Sequence, residues 1–295
     1  MRIGFIGAGS MGRHMAANLL AAGHELVVYD AREQVRDDSV LQGAGWVGSA
    51  AELSRGAECV ITALPGPPEV RELALAGDGI VPNLDSGALY IDMSTSTPDL
   101  AREIAAAAER RVAVAVDAPV SGGPRGARKA TLSIMVGASD AGYEAALPVL
   151  RCLGEQVFHV GGAGAGQVAK LVNNMMGLTN GIAAMEAMVV GTRAGVDPRR
   201  LLEVVMASAG NSFVLNMVPY IIFKRAFDPP KFALSLAAKD LRLAVEFAEG
   251  LGVPLRVVSD ACAALADAEE HGLGGLDWSS YITLLEQQAG VEVRG

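Results

Sequence analysis

The first half of the chain alternates short apolar runs with segments of helical character, the pattern of a parallel sheet joined by crossover helices. The runs are Ile3–Ile6, Leu26–Tyr29, Cys59–Ala63, Leu89–Asp92, Val112–Ala118, Ser133–Val136 and Val157–Val160. They alternate poorly between apolar and polar, as expected of strands covered on both faces. Between the first two, a helix is expected from about Met11 to Ala22, stopped at Gly23, a residue suited to the left-handed position past a helix end. A glycine-rich break, "VGGAGAG", covers Gly161–Gly166, and strand patterning ceases there. The rest reads as apolar helical segments punctuated by Gly195, Pro198, Gly210, Pro219, Pro229, Pro230 and Gly252. The first of them, from about Gln167 to Ala194, would be roughly 40 Å long at about 1.5 Å per residue. Its apolar positions (Val168, Leu171, Val172, Met175, Met176, Leu178, Ile182, Met185, Met188 and Val189) cover nearly every face, which predicts burial between domains or subunits.

A length of 295 residues suits two domains at roughly 150 residues each. With 24 basic and 33 acidic residues the chain carries a net charge of −9, which disfavours nucleic acid and anionic membrane surfaces as partners. Hydrophobic residues at 51 % and charged residues at 19 % give ample material for a core. Three widely spaced cysteines (Cys59, Cys152, Cys262) without a CxxC pair predict no disulfide framework and a reducing compartment. The four histidines lack metal-ligand spacing, so no metal site is expected. The longest stretch without charge, Val204–Phe223, could span a bilayer, but Ser208, Gly210, Asn211, Ser212, Asn216 and Pro219 interrupt it. A buried helix broken by a loop is expected there instead. The chain opens directly into a strand-like segment containing glycines, so no signal peptide and a cytoplasmic location are expected.

In "RIGFIGAGSMG", Gly7, Gly9 and Gly12 form a G-x-G-x-x-G directly after a strand and at the start of a helix. Gly7 would permit the tight turn, Gly9 the approach of a pyrophosphate to the backbone, and Gly12 close helix–strand packing, with the helix N-terminus favouring the anion. Ala8, Ser10 and Met11 complete this cofactor loop. The next strand ends in "LVVYD", with Asp30 eighteen positions after Gly12. An acid there can accept hydrogen bonds from the adenosine ribose and repels a 2′-phosphate, favouring NAD over NADP. Arg32 could still meet a phosphate, so NADP is retained as possible. Further strand ends carry polar or breaking residues: "TALPGPP" at Leu64 and Pro65, "DMSTSTP" at Ser94 and Thr95, and "DAPVSGGPRGA" at Ser121–Gly123.

In "GAGQVAKLVNNMMG", Lys170 is the sole charged residue between Glu155 and Glu186, and Asn174 follows one helical turn later on the same face. Burial would lower the lysine's pKa and give an amine able to exchange a proton near neutrality; a lysine reaching out to solvent is the other reading. The "SGG" of Ser121–Gly123 offers a hydroxyl and unobstructed backbone N–H groups as a carboxylate cradle, or an ordinary glycine turn. In "LAAKDLRLA", Lys239 and Asp240 are adjacent on a helix and point about 100° apart, so a salt bridge between them is not forced.

Together "GFIGAGSMG", "DAPVSGG", "GQVAKLVNN", "KDLRLA" and "GLGGLDWSS" resemble, in order and over essentially the whole chain, the β-hydroxyacid dehydrogenase family that includes 3-hydroxyisobutyrate dehydrogenase. The resemblance implies an α/β fold: a Rossmann-type doubly wound domain (residues 1–162) and an all-α substrate and oligomerisation domain (163–295), like that of 6-phosphogluconate dehydrogenase, begun by a long interdomain helix. It implies Lys170 as general acid/base and Asn174 as its orienting partner. It further implies substrate-carboxylate contacts from Ser121, Gly122 and Gly123, and Thr95 between cofactor and substrate. Leu64 and Pro65 would pack near the cofactor, Lys239 would reach the nicotinamide end, and the segment at Phe232 would face the substrate. Homodimers or homotetramers are common in the family.

The expected activity is an NAD-dependent oxidation of a small β-hydroxyacid such as 3-hydroxyisobutyrate or serine. The alternative is an NADPH-dependent reductase of a small semialdehyde of the tartronate or succinic type. Imine reductases of the same superfamily usually replace the lysine, and a non-catalytic dinucleotide-binding protein would not need both Lys170 and the "SGG" segment. One departure stands out: before Phe232 the family usually has Gly, whereas "DPPKF" places Lys231 there. That cation could meet a second acidic group of the substrate or point to solvent.

Overall fold

The computed structural model describes residues 1–295. The chain falls into two compact units, residues 1–170 and 171–295. The glycine run places the expected border at 162/163, ahead of a long helix; the compact units divide within that helix, after Lys170.

The first unit is built on nine strands: β1 (Arg2–Ile6), β2 (Glu25–Tyr29), β3 (Gly45–Trp46), β4 (Cys59–Thr62), β5 (Leu89–Asp92), β6 (Val114–Asp117), β7 (Val120–Ser121), β8 (Ser133–Gly137) and β9 (Gln156–Gly161). Their order is β3-β2-β1-β4-β5-β6-β8-β7, with β9 paired to β8. The first six in that order are parallel, so all of them end on one edge, and the strand order reverses between β1 and β4. The sheet is parallel as expected except at the far side, where β8 runs antiparallel to β6 and β7. Strands β3 and β7, two residues each, are too short to leave an apolar run. The run expected from Val112 starts only at Val114, because Val112 takes a left-handed turn (φ 57°) and is 71 % exposed.

Helices α1 (Gly12–Ala21), α2 (Ala50–Ser54), α3 (Pro67–Leu75), α4 (Pro98–Glu109), α5 (Gly123–Lys129) and α6 (Asp140–Leu150) cover the sheet. Neighbouring residues of one strand enter opposite layers. Phe5, Ile61 and Ile91 pack with Met15 and Leu19 of α1 and Val149 of α6, whereas Ile6, Val60 and Tyr90 pack with Val70 of α3 and Leu100 and Ile104 of α4. Burial on both faces is why the strands show so little alternation. Helix α1 stops before Gly23, which adopts the left-handed conformation (φ 85°) expected of it.

Helix α7 (Ala165–Arg193) is 29 residues long. The second unit continues it with α8 (Pro198–Met206), α9 (Leu234–Gly250), α10 (Val257–Glu270) and α11 (Ile282–Ala289). Leu178, Ile182, Met185, Met188 and Val189 of α7 enter its core with Leu234 and Leu241 of α9 and Leu265 of α10. Val172, Met176 (63 %) and Val190 remain exposed in the single chain, so its own packing does not cover every face of the helix. Trp278 lies against Gly181, in the space a Cβ would occupy.

The uncharged stretch 204–223 is not the expected buried helix. Only Val204–Met206 belong to a helix, and the remainder is turns around one short 3-10 segment, Phe213–Met217. Ser208, Gly210, Asn211 and Pro219 break helical continuity, and Phe213 is 91 % exposed while Ile221 and Ile222 are buried. No helix is long and apolar enough to cross a membrane.

Candidate active site

The β1–α1 turn forms a cradle in which the three glycines do different things. Gly7 has φ 93°, and a Cβ on it would run into the carbonyl of Ala63. A Cβ on Gly12 would strike the carbonyl oxygen of Gly7 and come within 3.1 Å of the Phe5 ring. At Gly9 the nearest atom to a Cβ would be Arg32 Nη2 at 3.5 Å, so this face of the loop stays open to an approaching group. Ser10 is exposed, Met11 half-buried and Ala8 buried.

Asp30, beyond the end of β2, ties into the same loop. Its Oδ2 accepts a hydrogen bond from Ala8 N at 2.8 Å. Arg32 folds back on it, Nε donating to Oδ1 and Nη2 to Oδ2, both at 3.0 Å, with Arg32 N donating to Oδ1 at 2.9 Å. Burial pushes the Asp30 carboxyl upward, but these hydrogen bonds and the guanidinium charge outweigh it and hold the pKa below the ordinary carboxylate range. An open glycine loop, a helix N-terminus and an ionised acid at the next strand end together fit a nicotinamide dinucleotide.

The other strand ends are laced together on the same edge of the sheet. Leu64 N donates to Ser94 Oγ at 2.9 Å, while Thr62 Oγ1 and Ser94 N both donate to Asp92 Oδ1, at 2.8 and 3.1 Å. Leu64 is half-buried and Pro65 exposed. Thr95, half-buried, lies between two residues clasped by one side chain: Gln167 Nε2 donates to Ser94 O at 2.9 Å and Gln167 Oε1 accepts from Ser96 N at 2.9 Å.

Beyond β6, Ser121 closes β7, and Gly122 (φ 133°) and Gly123 (φ 61°) turn the chain into α5. Lys170 is only 9 % exposed, and its Nζ donates to Val120 O at 2.8 Å, beside Ser121. The lysine therefore does not reach out to solvent.

Asp117, absent from the sequence-derived candidates, is 4 % exposed; its Oδ1 accepts from Gly164 N at 2.7 Å and its Oδ2 from Gln167 N at 2.9 Å. Its pKa is pushed up to about 6 by burial, with the neighbouring Asp92 charge adding to the rise and the two N–H donors opposing it. The native state therefore holds this proton more tightly than the unfolded chain, and the associated stability is gained as pH falls through about 6. Asp117→Asn cannot titrate. Denaturant midpoints taken between about pH 7.5 and about pH 5 should show wild type gaining on the variant by about 1 kcal/mol. A constant difference would contradict the raised pKa.

In the second unit, Asn174 is buried on α7 and donates from Nδ2 to Asp240 Oδ2 at 2.6 Å, while Asn173 Nδ2 donates to Asn174 Oδ1 at 3.1 Å. Lys239 Nζ stands 2.8 Å from Asp240 Oδ1, so the adjacent pair does close an ion pair. Asp240 thus joins Asn174 to Lys239. Phe232 is half-buried; its N–H, like that of Lys231, donates to Asp277 Oδ2, at 3.3 and 3.0 Å. Asp277, from "GLGGLDWSS", is a buried anchor for the "DPPKF" segment, and the Lys231 side chain is exposed.

A doubly wound sheet with a glycine cradle and a strand-end acid is the architecture of nicotinamide-dependent oxidoreductases. Residues 2–161 match the family model of the NAD-binding domain of 6-phosphogluconate dehydrogenase, and residues 164–285 match that described as NAD-binding of NADP-dependent 3-hydroxyisobutyrate dehydrogenase. The chain is 39 % identical over 290 residues to the 3-hydroxyisobutyrate dehydrogenase of Pseudomonas aeruginosa, covering 94 % of this chain and 96 % of the relative. It is 35 % identical over 295 residues to 2-(hydroxymethyl)glutarate dehydrogenase of Eubacterium barkeri, covering 100 % and 98 %. Among solved structures, Mycobacterium tuberculosis 3-hydroxyisobutyrate dehydrogenase with L-serine superposes with a TM-score of 0.87 at 34 % identity, covering 96 % of this chain and 98 % of that one. The chain belongs to the β-hydroxyacid dehydrogenase family.

Proposed function

We propose that this protein oxidises a small β-hydroxyacid, 3-hydroxyisobutyrate, serine or a close analogue, with NAD as hydride acceptor and Lys170 as general acid/base. The observation that carries this reading is the buried Lys170 amine, held on the Val120 carbonyl beside the Ser121–Gly123 segment. The names of the relatives support the substrate class.

When bound, the dinucleotide supplies the acceptor for the hydride that leaves the hydroxyl-bearing carbon, or the donor in the reverse direction. Neutral Lys170 Nζ takes the hydroxyl proton as the carbonyl forms and returns it in reduction. Ser121 Oγ and the backbone N–H groups at Gly122 and Gly123 bind the substrate carboxylate. Thr95 borders the reacting carbon, Leu64 and Pro65 pack against the cofactor, and Gly7–Gly12 and Asp30 bind its pyrophosphate and ribose. Asn174 orients the lysine and the reacting oxygen, Lys239 serves the nicotinamide end, and Phe232 lines the substrate. Functionally the chain divides at 162/163 into dinucleotide-binding and substrate parts. The protein works as a homodimer or homotetramer in a reducing cytoplasm; the outward apolar positions Val172, Met176 and Val190 support assembly.

NAD is favoured because the carboxylate of Asp30 would face a 2′-phosphate at close range, a repulsion of about 1 kcal/mol or more even in high dielectric, or about tenfold in affinity. The second reading, an NADPH-dependent semialdehyde reductase, draws on Arg32, an exposed cation beside Asp30. Reduced-cofactor formation from a panel of β-hydroxyacids, with NAD and NADP in parallel at alkaline pH, separates them. At least tenfold higher kcat/KM with NAD is expected; preference for NADP would promote the reductase.

A further inference from the structure

Helix α7 begins without a capping side chain of its own: Gly164 precedes it, and Ala165 and Gly166 open it. Its first N–H groups would lack partners were they not served from elsewhere. Ala165 N donates to Gly162 O at 3.0 Å, while Gly164 N and Gln167 N are served by Asp117, 47 and 50 residues away. Space for the carboxylate is made by two glycines. A Cβ on Gly137 would come 2.7 Å from Asp117 Oδ2, and one on Gly166 would come 2.8 Å from the same oxygen. The fully buried side chain of Gln167 then clasps Ser94 and Ser96 on either side of Thr95. Lys170, three residues on, shares the face of Gln167.

We propose that Asp117 and Gln167 are positioning residues that fix where the Lys170 amine stands relative to Thr95 and the Ser121–Gly123 segment. Asp117 fixes the helix along its axis and against the end of β6, and Gln167 fixes its rotation against the loop after β5. A slip of one residue would move Lys170 by about 1.5 Å. A misplacement of about 1 Å costs a reaction on the order of 10²-fold. A neutral hydroxyl at the cap position would satisfy the helix end alone, whereas a buried carboxylate beside Asp92 is retained although both burial and that neighbour oppose its ionisation. The proposal rests on the reading of Lys170 as the acid/base group.

Two variants test it, Asp117→Asn and Gln167→Ala, the second remaining informative should the first not fold. Two readouts are combined: steady-state turnover with the β-hydroxyacid panel, and the rate at which Lys170 is reductively methylated, followed by peptide mass spectrometry against the exposed Lys129 and Lys224. The expected result is a fall in kcat of about 10- to 100-fold with KM for the dinucleotide within twofold, and faster labelling of Lys170 but not of the reference lysines. Unchanged kcat and unchanged Lys170 labelling would overturn the proposal while leaving the functional reading intact. Faster labelling of every lysine, with dinucleotide KM rising as kcat falls, would also overturn it, since that reports general loosening. Wild-type silence on the whole panel, with Lys170 still released in the variants, would overturn the functional reading and uphold the positioning of the amine.

Discussion

Lys170→Ala should lower turnover of the best β-hydroxyacid by about 10²–10⁴-fold, the usual contribution of a positioned proton acceptor. Dinucleotide affinity should stay within about twofold, because the proposed cofactor cradle is built on the β1–α1 turn and Asp30, whereas Lys170 stands on α7 and bonds at Val120 O. The amine is held at Val120 O, beside the proposed carboxylate cradle, where the hydroxyl proton is to be taken up. Lys170→Arg sharpens the test. It retains a cation and a donor for the Val120 carbonyl, but a guanidinium does not deprotonate in proteins and cannot accept the hydroxyl proton. Both variants should therefore be comparably inactive. If either keeps more than about a tenth of wild-type turnover, Lys170 is not the acid/base group.

Gly12→Ala should weaken dinucleotide binding by about 10- to 100-fold with far less effect on kcat at saturating cofactor. The added methyl would collide with the Gly7 carbonyl oxygen, which is backbone and cannot rotate away, and would press on the Phe5 ring at 3.1 Å. Overpacking of this kind costs typically 1–3 kcal/mol, about 5- to 150-fold in an equilibrium. The strain falls on the turn that aims the first N–H groups of α1, so the loss is expected in binding before it is seen in global stability. Titration of bound dinucleotide by intrinsic fluorescence, alongside a thermal melt, checks this. Gly9→Ala is the internal comparison: a Cβ there has 3.5 Å to its nearest neighbour, so the empty fold tolerates it, and any loss must come from the ligand side.

The residues legible in the sequence are those whose signal is local. Gly7, Gly9 and Gly12 announce themselves by spacing within a single turn, and the strand on one side and helix on the other follow within a few residues. Lys170 is visible because it is the sole charge between Glu155 and Glu186. Asp117, Asp240 and Asp277 gave no such signal. Each makes its decisive contacts across 45 to 66 residues, to Gly164 and Gln167, to Asn174, and to Lys231 and Phe232. A carboxylate's partner at that separation leaves no mark in the surrounding pattern. A weaker signal did exist for Asp117: the glycine-rich start of α7 offers no capping side chain, which leaves a place there for an acceptor from elsewhere in the chain.

Hydrophobicity misled at 204–223 for a related reason. The stretch lacks charge, yet its glycine, proline and short polar residues prevent a helix, and its apolar side chains divide between core and surface. Strands β3 and β7 escaped because two residues in a ladder need no apolar run of their own. The sequence leaves the Lys239–Asp240 bridge open because adjacent helix positions diverge, and it closes because a lysine is long enough to reach back.

Label transfer would test the central claim most directly. The protein is incubated with NAD and with 3-hydroxyisobutyrate or serine deuterated at the hydroxyl-bearing carbon, and the reduced dinucleotide is analysed by mass spectrometry. Deuterium in the reduced cofactor is the expected result, since the hydride must come from that carbon as Lys170 takes the proton. Dinucleotide that binds but acquires no deuterium from any member of a β-hydroxyacid panel would contradict it.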